Sequence, residues 1–560
     1  MKTRGLLLAA CMIVMISRGG AAVGTWKNFT SMKDVRGVAR EGTVYWAATT
    51  GGLFAWNSLS DSYKLFTNAE GLRSTDLTAL AIDRQGNIWT GTSTGIIHVY
   101  SQREGTWRYI LDIANTTQTN KRINNFTIMG DTVLVCTDFG LSVFRINEFG
   151  FGDTYTRFGS LQGNVRVAVS SAVVFNDSLW LAISDGSNTT RVAVASLANS
   201  NLLPPESWTL RAVGGLSVIP KQLAVFNGRL YAATNAGLYA YTSGNWTAVP
   251  AFAGQGIVAI SSSPTLLSVC TPTEAFTVDQ QANVLQRGSS LPYQANSLTS
   301  GAGDLPVIGS KEGGVLTLDT AWTSHAPNGP NSNLFLSVDV NIDGTVWAAS
   351  GYSANGKGIY RYNGRDWKSF TAQNSPLPTN DYYRVSVSCN GSVWASSYGR
   401  GIVEIPLGTD SISRSRIYGL NVGLIGIPED NTYIVPSTVA CDGRGNTWFT
   451  VVDAADKRVV IQRRTDGSWV RNPAILNGSP LRVLQDLPID RDVAIDPYGN
   501  FWACVKQDGS QGVITLGNRG SLDDTTVAYH LGASDGLPDN NERTVVVELD
   551  GQVWVGTDLG

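Results

Sequence analysis

The fold of this chain is decided by the stretch LAIDRQGNIWTGTSTGIIHVY, residues 80–100. Its alternating apolar residues predict one strand before Gly86, a second around Trp89 and a third after Gly95, and the segment Trp107-Arg108-Tyr109 supplies a fourth. Turn signals roughly every 8 to 12 residues, with short strands between them, predict an antiparallel four-stranded meander instead of alternating strands and helices.

The same unit returns along the chain. An aromatic or apolar residue six positions before a glycine is its most constant feature, and a chain with such a period is typical of repeat architectures. The clear copies are Trp46/Gly52, Trp89/Gly95, Leu134/Gly140, Trp180/Gly186, Tyr231/Gly237, Ile308/Gly314 and Trp554/Gly560, and weaker copies surround Leu267, Trp347, Trp394, Trp448 and Trp502. We expect most of the tryptophans to lie on second strands and to fill the wedge between neighbouring blades.

The number of repeats predicts two rings. The repeats are spaced by roughly 36 to 54 residues, which is about the length of one propeller blade. Twelve blades exceed the roughly 4 to 8 that one ring holds. We therefore predict an all-β chain of two tandem β-propellers with four-stranded blades, a seven-bladed ring over residues 23–320 and a second, incomplete ring of about five blades over residues 321–560.

The ends of each ring can be predicted from how a propeller closes. The segment Trp26–Phe29 is expected to pair with Gly314–Leu318 and so to latch the first ring. Trp322 would then open the second ring, with residues 327–331 as the linker turn. Because Gly560 is itself a motif glycine, we expect the sequence to be a fragment that stops inside a blade.

Residues 1–22 have the pattern of a secretory signal peptide. A basic start is followed by the uncharged stretch 6–16 and by the small residues 20–22. Lipidation at Cys11 is the alternative processing. No later stretch approaches the roughly 18 apolar residues of a transmembrane helix. We therefore expect an exported protein without a transmembrane segment.

Composition excludes several classes of function. With 42 Lys and Arg against 45 Asp and Glu, the chain lacks the positive charge of a sequence-independent nucleic-acid binder. The chain has three histidines, His98, His325 and His530, which is few for general-base catalysis or metal binding by imidazole groups. The cysteines after the signal peptide are odd in number and irregularly spaced, and we expect small buried residues, not a disulfide framework. They are Cys136, Cys270, Cys389, Cys441 and Cys504.

Several motifs are better explained by turns than by chemistry. Asp339, Asn341, Asp343 and Gly344 have calcium-loop spacing, but the twelfth position is Ser350 instead of Glu, so we interpret Asp343-Gly344 as a hairpin turn. The aspartates that recur before the turn glycine are expected to bond their own backbone two residues on. They are Asp83, Asp442, Asp496 and Asp550. We predict no metal and no cofactor.

No catalytic motif has the required context. Gly91–Gly95 matches the GxSxG pattern but is predicted to be a hairpin between strands, which would not expose a nucleophile. The acidic pairs Asp523-Asp524 and Glu429-Asp430 fall in loop-like segments. We therefore predict that the chain is not an enzyme. A propeller polysaccharide lyase is the least favoured alternative, because it needs clustered His, Arg or Tyr.

The repeat, from Leu77 through Trp89 to Ile96, resembles the two-component regulator propeller repeat. The opening residues 44–54 and 70–76, after a signal peptide and Trp26, resemble more narrowly the PorZ-type two-propeller components of the type IX secretion attachment complex of Bacteroidetes. That resemblance implies two seven-bladed propellers, a small β-sandwich domain beyond residue 560, a cell-surface location and no catalytic residues.

The resemblance implies a function in secretion. It implies that secretion-complex proteins and anionic lipopolysaccharide are the partners of a non-catalytic scaffold that helps attach secreted cargo. The alternative, which shares the repeat, is the periplasmic ligand-sensing double propeller of a hybrid histidine kinase, and the segments downstream of Gly560 would distinguish the two. We expect a ligand at one mouth of the first ring, on loops such as 113–121 and 148–156, without individual contact residues.

Overall fold

The computed structural model confirms an all-β chain of propeller blades. It describes residues 27–560 except 162–166, 185–190, 216–217, 282, 287–289, 352–354, 409–410, 474, 477–478, 481–491, 508–509, 518–521 and 523–527. The predicted signal peptide, Cys11, Trp26 and the pair Asp523-Asp524 lie outside the described residues.

The chain divides into two compact units. The first comprises Val35–Lys311 and Val315–His325, and the second comprises Thr30–Asp34, Glu312–Gly314 and Ala326–Gly560. The strands of the first unit are β1 (Val35–Glu41), β2 (Val44–Thr49), β3 (Gly52–Asn57), β4 (Ser62–Phe66), β5 (Leu77–Ile82), β6 (Ile88–Thr92), β7 (Ile97–Ser101), β8 (Thr106–Ile110), β9 (Ile123–Met129), β10 (Thr132–Thr137), β11 (Gly140–Arg145), β12 (Gly150–Tyr155), β13 (Ala168–Phe175), β14 (Ser178–Ser184), β15 (Arg191–Ser196), β16 (Thr209–Arg211), β17 (Pro220–Phe226), β18 (Arg229–Thr234), β19 (Gly237–Thr242), β20 (Asn245–Ala248), β21 (Ala259–Ser262), β22 (Leu266–Cys270), β23 (Ala275–Asp279), β24 (Val284–Gln286), β25 (Ala295–Ser300), β26 (Pro306–Ser310), β27 (Val315–Leu318) and β28 (Trp322–His325).

The first unit is a closed ring of seven blades. Each set of four consecutive strands forms one antiparallel sheet, from β1–β4 to β25–β28. The first strand of each blade contacts the first strand of the next, and β25 contacts β1. At that junction the backbones approach closely, because a Cβ placed on Gly309 would lie 2.7 Å from Val35 Cγ1. The apolar faces of seven sheets are thus buried against one another.

The predicted latch is wrong. Strand β27 pairs with β28, so Trp322–His325 is the outer strand of the seventh blade and does not open the second ring. Residues 27–29 form no strand. The ring therefore closes by packing β25 on β1, with each blade built from one continuous segment. The turn that follows Leu318 is short enough for the chain to reverse and to supply its own fourth strand.

The second unit continues the same blade plan. The sheets β29–β32, β33–β36, β37–β40 and β43–β46 have four strands each, and the pairs β41–β42 and β47–β48 have two. Its strands are β29 (Ser337–Val340), β30 (Val346–Ala349), β31 (Ile359–Tyr362), β32 (Trp367–Phe370), β33 (Tyr382–Val387), β34 (Val393–Ser397), β35 (Ile402–Ile405), β36 (Arg416–Tyr418), β37 (Ala440–Cys441), β38 (Thr447–Thr450), β39 (Val460–Arg463), β40 (Trp469–Asn472), β41 (Ile475–Leu476), β42 (Ser479–Pro480), β43 (Val493–Ile495), β44 (Phe501–Gln507), β45 (Ser510–Leu516), β46 (Ala528–Leu531), β47 (Glu542–Val547) and β48 (Val553–Thr557).

Helical structure in the described ranges is confined to short 3-10 turns. These are Pro205–Ser207, Pro250–Phe252, Ala302–Asp304, Ser411–Arg414, Leu420–Val422 and Ala533–Asp535. None of the helices in that part of the chain has the length and apolar character needed to cross a membrane.

A carboxylate ties the first hairpin of several blades to the blade's tryptophan. Asp83 Oδ1 accepts hydrogen bonds from the backbone N–H groups of Gln85 and Asn87, both at 2.9 Å. Its Oδ2 accepts from Asn87 Nδ2 at 2.9 Å and from Trp89 Nε1 at 2.9 Å. We call this arrangement the Asp–Trp clamp. It satisfies a buried indole N–H that burial would otherwise penalise.

The clamp recurs in the second unit and confirms that the repeated aspartates are turn residues. Asp442 and Asp496 each bond the backbone two residues on at 2.9 Å, and each also accepts from a tryptophan, at 2.9 Å from Trp448 and 3.1 Å from Trp502. Asp550 likewise accepts from a backbone N–H two residues on, at 3.0 Å. In that blade, however, the indole N–H of Trp554 donates to Glu548, which lies six residues before it as Asp83 lies six residues before Trp89. The sequence pattern of aspartates did not predict this bond to the tryptophan.

Tryptophan positions only partly follow the prediction. Second strands carry Trp46, Trp89, Trp180, Trp347, Trp394, Trp448, Trp502 and Trp554, whereas the fourth strands carry Trp107, Trp246, Trp322, Trp367 and Trp469. Trp89 does fill the wedge between blades, since its ring centre lies 5.5 Å from that of Phe144 in the next blade, whereas Trp554 is 60% exposed. Outer strands use tryptophan because its amphipathic ring covers a partly solvated sheet edge.

The expectation for the cysteines is wrong for one pair. Cys389, in the hairpin after β33, and Cys441, at the end of β37, form a disulfide with a Cα–Cα distance of 5.9 Å, and the bond joins two neighbouring blades. The sequence separation of 52 residues concealed it. Cys136, Cys270 and Cys504 are buried and take no part in a disulfide, as expected. Two hairpins distant in sequence meet only once the blades pack.

Removing the clamp carboxylate is expected to destabilise the second unit. Asp442→Asn replaces one acceptor oxygen with an NH₂ group that faces N–H donors and so cannot bond to them. The loss should lower the free energy of unfolding by at least about 2 kcal/mol. Calorimetric unfolding of the full chain measures the effect. Asp466→Asn is the matched control, because Asp466 accepts from Ser468 in an exposed turn, and it should leave the transition unchanged. Equal transitions for the two variants would contradict the structural role of the clamp.

His98 makes the first ring sensitive to acid. The side chain is fully buried, and its Nε2 accepts from the backbone N–H of Arg73 at 3.1 Å. Nδ1 therefore carries the proton and donates to Thr90 Oγ1 at 3.2 Å. Burial, helped by the nearby Arg73 charge, lowers the pKa of His98 to about 4. Since the folded state favours the neutral ring, its stabilising contribution is complete above the unfolded pKa near 6.5 and is lost as the pH falls toward 4.

We expect His98→Gln to remove this dependence while keeping an acceptor for Arg73 N. Between pH 7 and pH 4 the unmodified protein should lose about 3 kcal/mol more unfolding free energy than the variant. Urea unfolding of the full chain at both pH values measures the difference. Parallel losses in the two proteins would show that His98 is not the titrating group.

Candidate binding site in the channel of the first ring

A polar cavity occupies the centre of the first ring. It has a volume of about 230 Å³. Each of the seven innermost strands contributes lining residues, and Val258, just before β21, lines the cavity as well. We call it the channel site. Its lining is polar although the cores of the blades around it are apolar. A local feature of the backbone must therefore direct polar side chains toward the ring axis.

That feature is a β-bulge in the innermost strand. In six blades the pairing of the first strand with the second skips one residue. A bulge re-aims the extra side chain away from the regular alternation. The skipped residues are Arg36, Thr78, Asn124, Ser170, Lys221 and Asn296, and all six line the channel site. In the remaining blade the equivalent position is Val258.

Some bulge residues also tie neighbouring blades together. Thr78 Oγ1 donates to Ile123 O at 2.6 Å, and Asn124 Nδ2 donates to Val169 O at 3.0 Å, in each case across to the next blade. These bonds tie the innermost strands of neighbouring blades together and hold the Thr78 and Asn124 side chains in place. Side chains already bonded in this way present fixed dipoles to the channel.

The channel site favours an anionic ligand. Arg36 and Lys221 are its cationic lining residues, and no residue of the lining is acidic. Arg36 is partly neutralised by Asp76, whose carboxylate lies 2.7 Å from it, and Ser93 Oγ donates to the other oxygen of Asp76 at 2.6 Å. Lys221 is exposed. The amide and hydroxyl groups add neutral donors around these charges.

The loops predicted to share one mouth lie at opposite ends of their blade. Residues 113–121 connect the outer strand β8 to the inner strand β9, whereas 148–156 contain the turn from β11 into β12 and that outer strand itself. Because successive strands of a meander run in opposite directions, these two turns fall on opposite faces of the ring. The expected two-loop ligand surface is therefore wrong.

The other sequence candidates are placed in turns and hairpins. Gly344 has a φ of 80°, and Asp343 accepts from Thr345 N at 2.9 Å, which confirms the hairpin turn there. Asp339 lies on β29 and accepts from Val387 N at 2.7 Å. In the described ranges, no group of three or more His, Cys, Asp or Glu residues is arranged to hold a metal ion.

The candidate catalytic motifs are not brought together. Gly91–Gly95 forms the hairpin between β6 and β7, as expected, with Gly95 at a φ of 87°. Glu429 and Asp430 lie in an exposed turn, where Asp430 accepts from Thr432 N at 2.9 Å. His325 stacks on Trp56 with ring centres 3.7 Å apart, and His98 is buried in its blade. His530 lies on β46 in the other unit.

The six bulge residues of the channel site were not predicted from the sequence, although the sequence contains a pattern that marks them. Each follows an apolar residue near the start of an innermost strand, as in Val35-Arg36, Leu77-Thr78 and Ile123-Asn124. A polar residue at that position fits the usual alternation of apolar and polar residues in a strand, because no local sequence feature indicates the bulge. Aligning the repeats on the position ten to twelve before the repeated second-strand residue, as in Arg36 before Trp46, Thr78 before Trp89 and Asn296 before Ile308, isolates these positions.

Comparison with known proteins gives the chain its relatives. Residues 44–209 match the family model of the PorZ N-terminal β-propeller domain of the type IX secretion system. No curated protein sequence matches the chain.

Solved structures align with most of this chain. PorZ of Porphyromonas gingivalis, described as an essential bacterial surface component of the type-IX secretion system, aligns with a TM-score of 0.76 at 17% identity, over 96% of this chain and 72% of that chain. The extracellular domain of a hybrid two component system of B. thetaiotaomicron aligns with a TM-score of 0.43 at 16% identity, over 94% and 68%. The resemblance expected from the sequence is confirmed: residues 44–209 of this chain match the PorZ N-terminal β-propeller family.

Proposed function

We propose that this chain is an exported, non-catalytic binding and scaffold protein of a type IX secretion system. Its partners are other proteins of the secretion complex and anionic lipopolysaccharide, and it helps attach secreted cargo at the cell surface. The observation that carries the proposal is the match of residues 44–209 to the PorZ propeller family. The PorZ structure with the same fold belongs to a surface component of that system.

The channel site supplies the chemistry for the glycolipid. Lipopolysaccharide carries phosphate or carboxylate groups among hydroxyls, and the site offers Arg36 and Lys221 among amide and hydroxyl groups. Charge-assisted hydrogen bonds to such anions are stronger than neutral ones. Thr78 and Asn124 are held by bonds to the neighbouring blades before the ligand arrives, which reduces the ordering cost of binding to them.

The disulfide supports the exported location. Disulfides form and persist in oxidising compartments and are rare in the cytosol. Cys389 and Cys441 join two blades whose hairpins are 52 residues apart in sequence. A bond of this kind stabilises the fold only where the thiols are oxidised.

The contribution of the disulfide is directly testable. For a loop of this length the chain-entropy model gives about 4 kcal/mol as an upper value. We expect the double variant Cys389→Ser/Cys441→Ser to unfold at a lower temperature than the unmodified chain. Reductant should lower the transition of the unmodified chain to that of the variant and leave the variant unchanged. A transition of the unmodified chain that reductant does not move would contradict the bond's role.

Binding of anionic lipopolysaccharide tests the proposed function. The full chain should bind it with an affinity that falls with added salt, and Lys221→Gln should weaken binding about tenfold, because one charge-assisted hydrogen bond is lost. Arg103→Gln is the matched control, since Arg103 is an exposed residue in the turn between β7 and β8 and is not part of the channel lining.

Co-purification from a secreting bacterium tests the partners. Recovery of other secretion-complex proteins with the tagged full chain supports the scaffold role. Failure to recover them, together with failure to bind anionic lipopolysaccharide, overturns the proposal. Binding of neutral glycan fragments without either of these would favour the sensor alternative.

A further inference from the structure

A second cavity lies between the first two blades of the first ring. It has a volume of about 260 Å³, and we call it the interblade cleft. It is lined by Val44, Trp46, Ala55, Asn57, Ser62, Tyr63, Lys64, Tyr100 and Gln102. These residues come from the turn-proximal parts of β2, β3, β4 and β7 and from the residue just after β7, so the cleft opens at the face of the ring that carries the β1–β2 and β3–β4 hairpins.

The cleft exists where the first blade departs from the Asp–Trp clamp. In the second blade the hairpin between β5 and β6 is long, and Asp83 accepts from Trp89 Nε1. In the first blade the β1–β2 ladder continues to the pair Glu41–Val44, which leaves only a two-residue turn. Glu41, the residue in the position of Asp83, instead accepts from Gln102 Nε2 at 2.6 Å.

Trp46 is consequently left with an unused donor. The residue is 3% exposed, and its Nε1 has no hydrogen-bond partner. The fourth blade, which has the same two-residue turn, solves this problem differently, because Trp180 Nε1 donates to Phe175 O at 3.1 Å. An unsatisfied buried donor costs about 1 to 3 kcal/mol. Trp46 lines the cleft, so a ligand acceptor that reaches this nitrogen would remove that cost.

The other groups of the cleft define the ligand further. Lys64 Nζ donates to Tyr100 OH at 2.9 Å, which leaves two of its three N–H donors for a ligand. Burial, with a smaller effect of Asp61, raises the pKa of Tyr63 to about 12, so its phenol is a neutral hydroxyl at physiological pH. One cation and no carboxylate line the cleft, and Val44 and Ala55 add an apolar part.

We propose that the interblade cleft binds a single sugar ring that carries a carboxylate. A pyranose has an apolar C–H face and several oxygen acceptors, and its carboxylate pairs with the Lys64 ammonium. A cavity of about 260 Å³ is smaller than the roughly 300 to 1,000 Å³ of drug-sized sites, which limits the ligand to about one ring. The inference does not depend on the proposed function, because the channel site is lined by a different set of residues.

Titration of the full chain with glucuronate, followed by calorimetry and tryptophan fluorescence, tests the proposal. We expect saturable binding in the millimolar range, and at least tenfold weaker binding of glucose, which lacks the carboxylate. Lys64→Gln should weaken glucuronate binding about tenfold through the lost charge-assisted bond and should leave glucose binding unchanged. Because Lys64 is exposed, this variant should fold normally.

Trp46→Phe tests the unused donor. It should weaken binding of both sugars about threefold to tenfold, which corresponds to one neutral hydrogen bond. Trp89→Phe is the matched stability control. Both variants lose the same ring volume, but only Trp89→Phe breaks a hydrogen bond in the free protein, so it should lower the unfolding temperature more.

Two further outcomes decide the proposal. Because the channel site also favours anions, glucuronate is titrated into the Lys221→Gln chain as well. Binding that Lys221→Gln retains and Lys64→Gln removes belongs to the cleft, so a failed proposed function and a failed cleft remain distinguishable. Absence of saturable glucuronate binding, or binding that is unaffected by Lys64→Gln, overturns the inference.

Discussion

The packing of one innermost strand on the next is the interaction on which the first ring depends. A single four-stranded blade has two apolar faces and cannot bury both alone. In this ring the blades bury these faces against each other, and closure depends on β25 meeting β1 at a junction where Gly309 leaves room for Val35. Because the chain closes this ring by packing and not by a shared strand, every blade can be one continuous segment.

Closure also constrains what the centre of the ring can be. The innermost strands crowd together, and a bulge in six of them turns a polar residue toward the axis. Thr78 and Asn124 use that position to bond the next blade, whereas Lys221 is left exposed. One backbone irregularity therefore serves both to hold blades in register and to build a polar, cationic channel inside an apolar scaffold.

Variation of the first hairpin explains how a repeat acquires a distinct surface. Where the hairpin is long, Asp83, Asp442 and Asp496 satisfy the tryptophan of their own blade. Where it is a two-residue turn, the tryptophan must find another acceptor, and Trp46 has none. What decides the outcome is whether an acceptor lies within reach, since Trp180, after a turn of the same length, donates to Phe175 O. Ser388, at the equivalent position before Trp394, leaves that indole N–H unpartnered as well.

Features that depend on contacts within about ten residues were predictable from the amino-acid sequence: the number and spacing of blades, the hairpin at Gly91–Gly95 and the turn role of Asp83. Features that depend on packing between distant segments were not: the Cys389–Cys441 disulfide, the completion of the seventh blade by β28, and the opposite placement of loops 113–121 and 148–156. It also assembled the channel from Arg36 to Asn296. Residues about forty positions apart converge only when the ring closes, and the packing that brings them together leaves no mark in any single repeat.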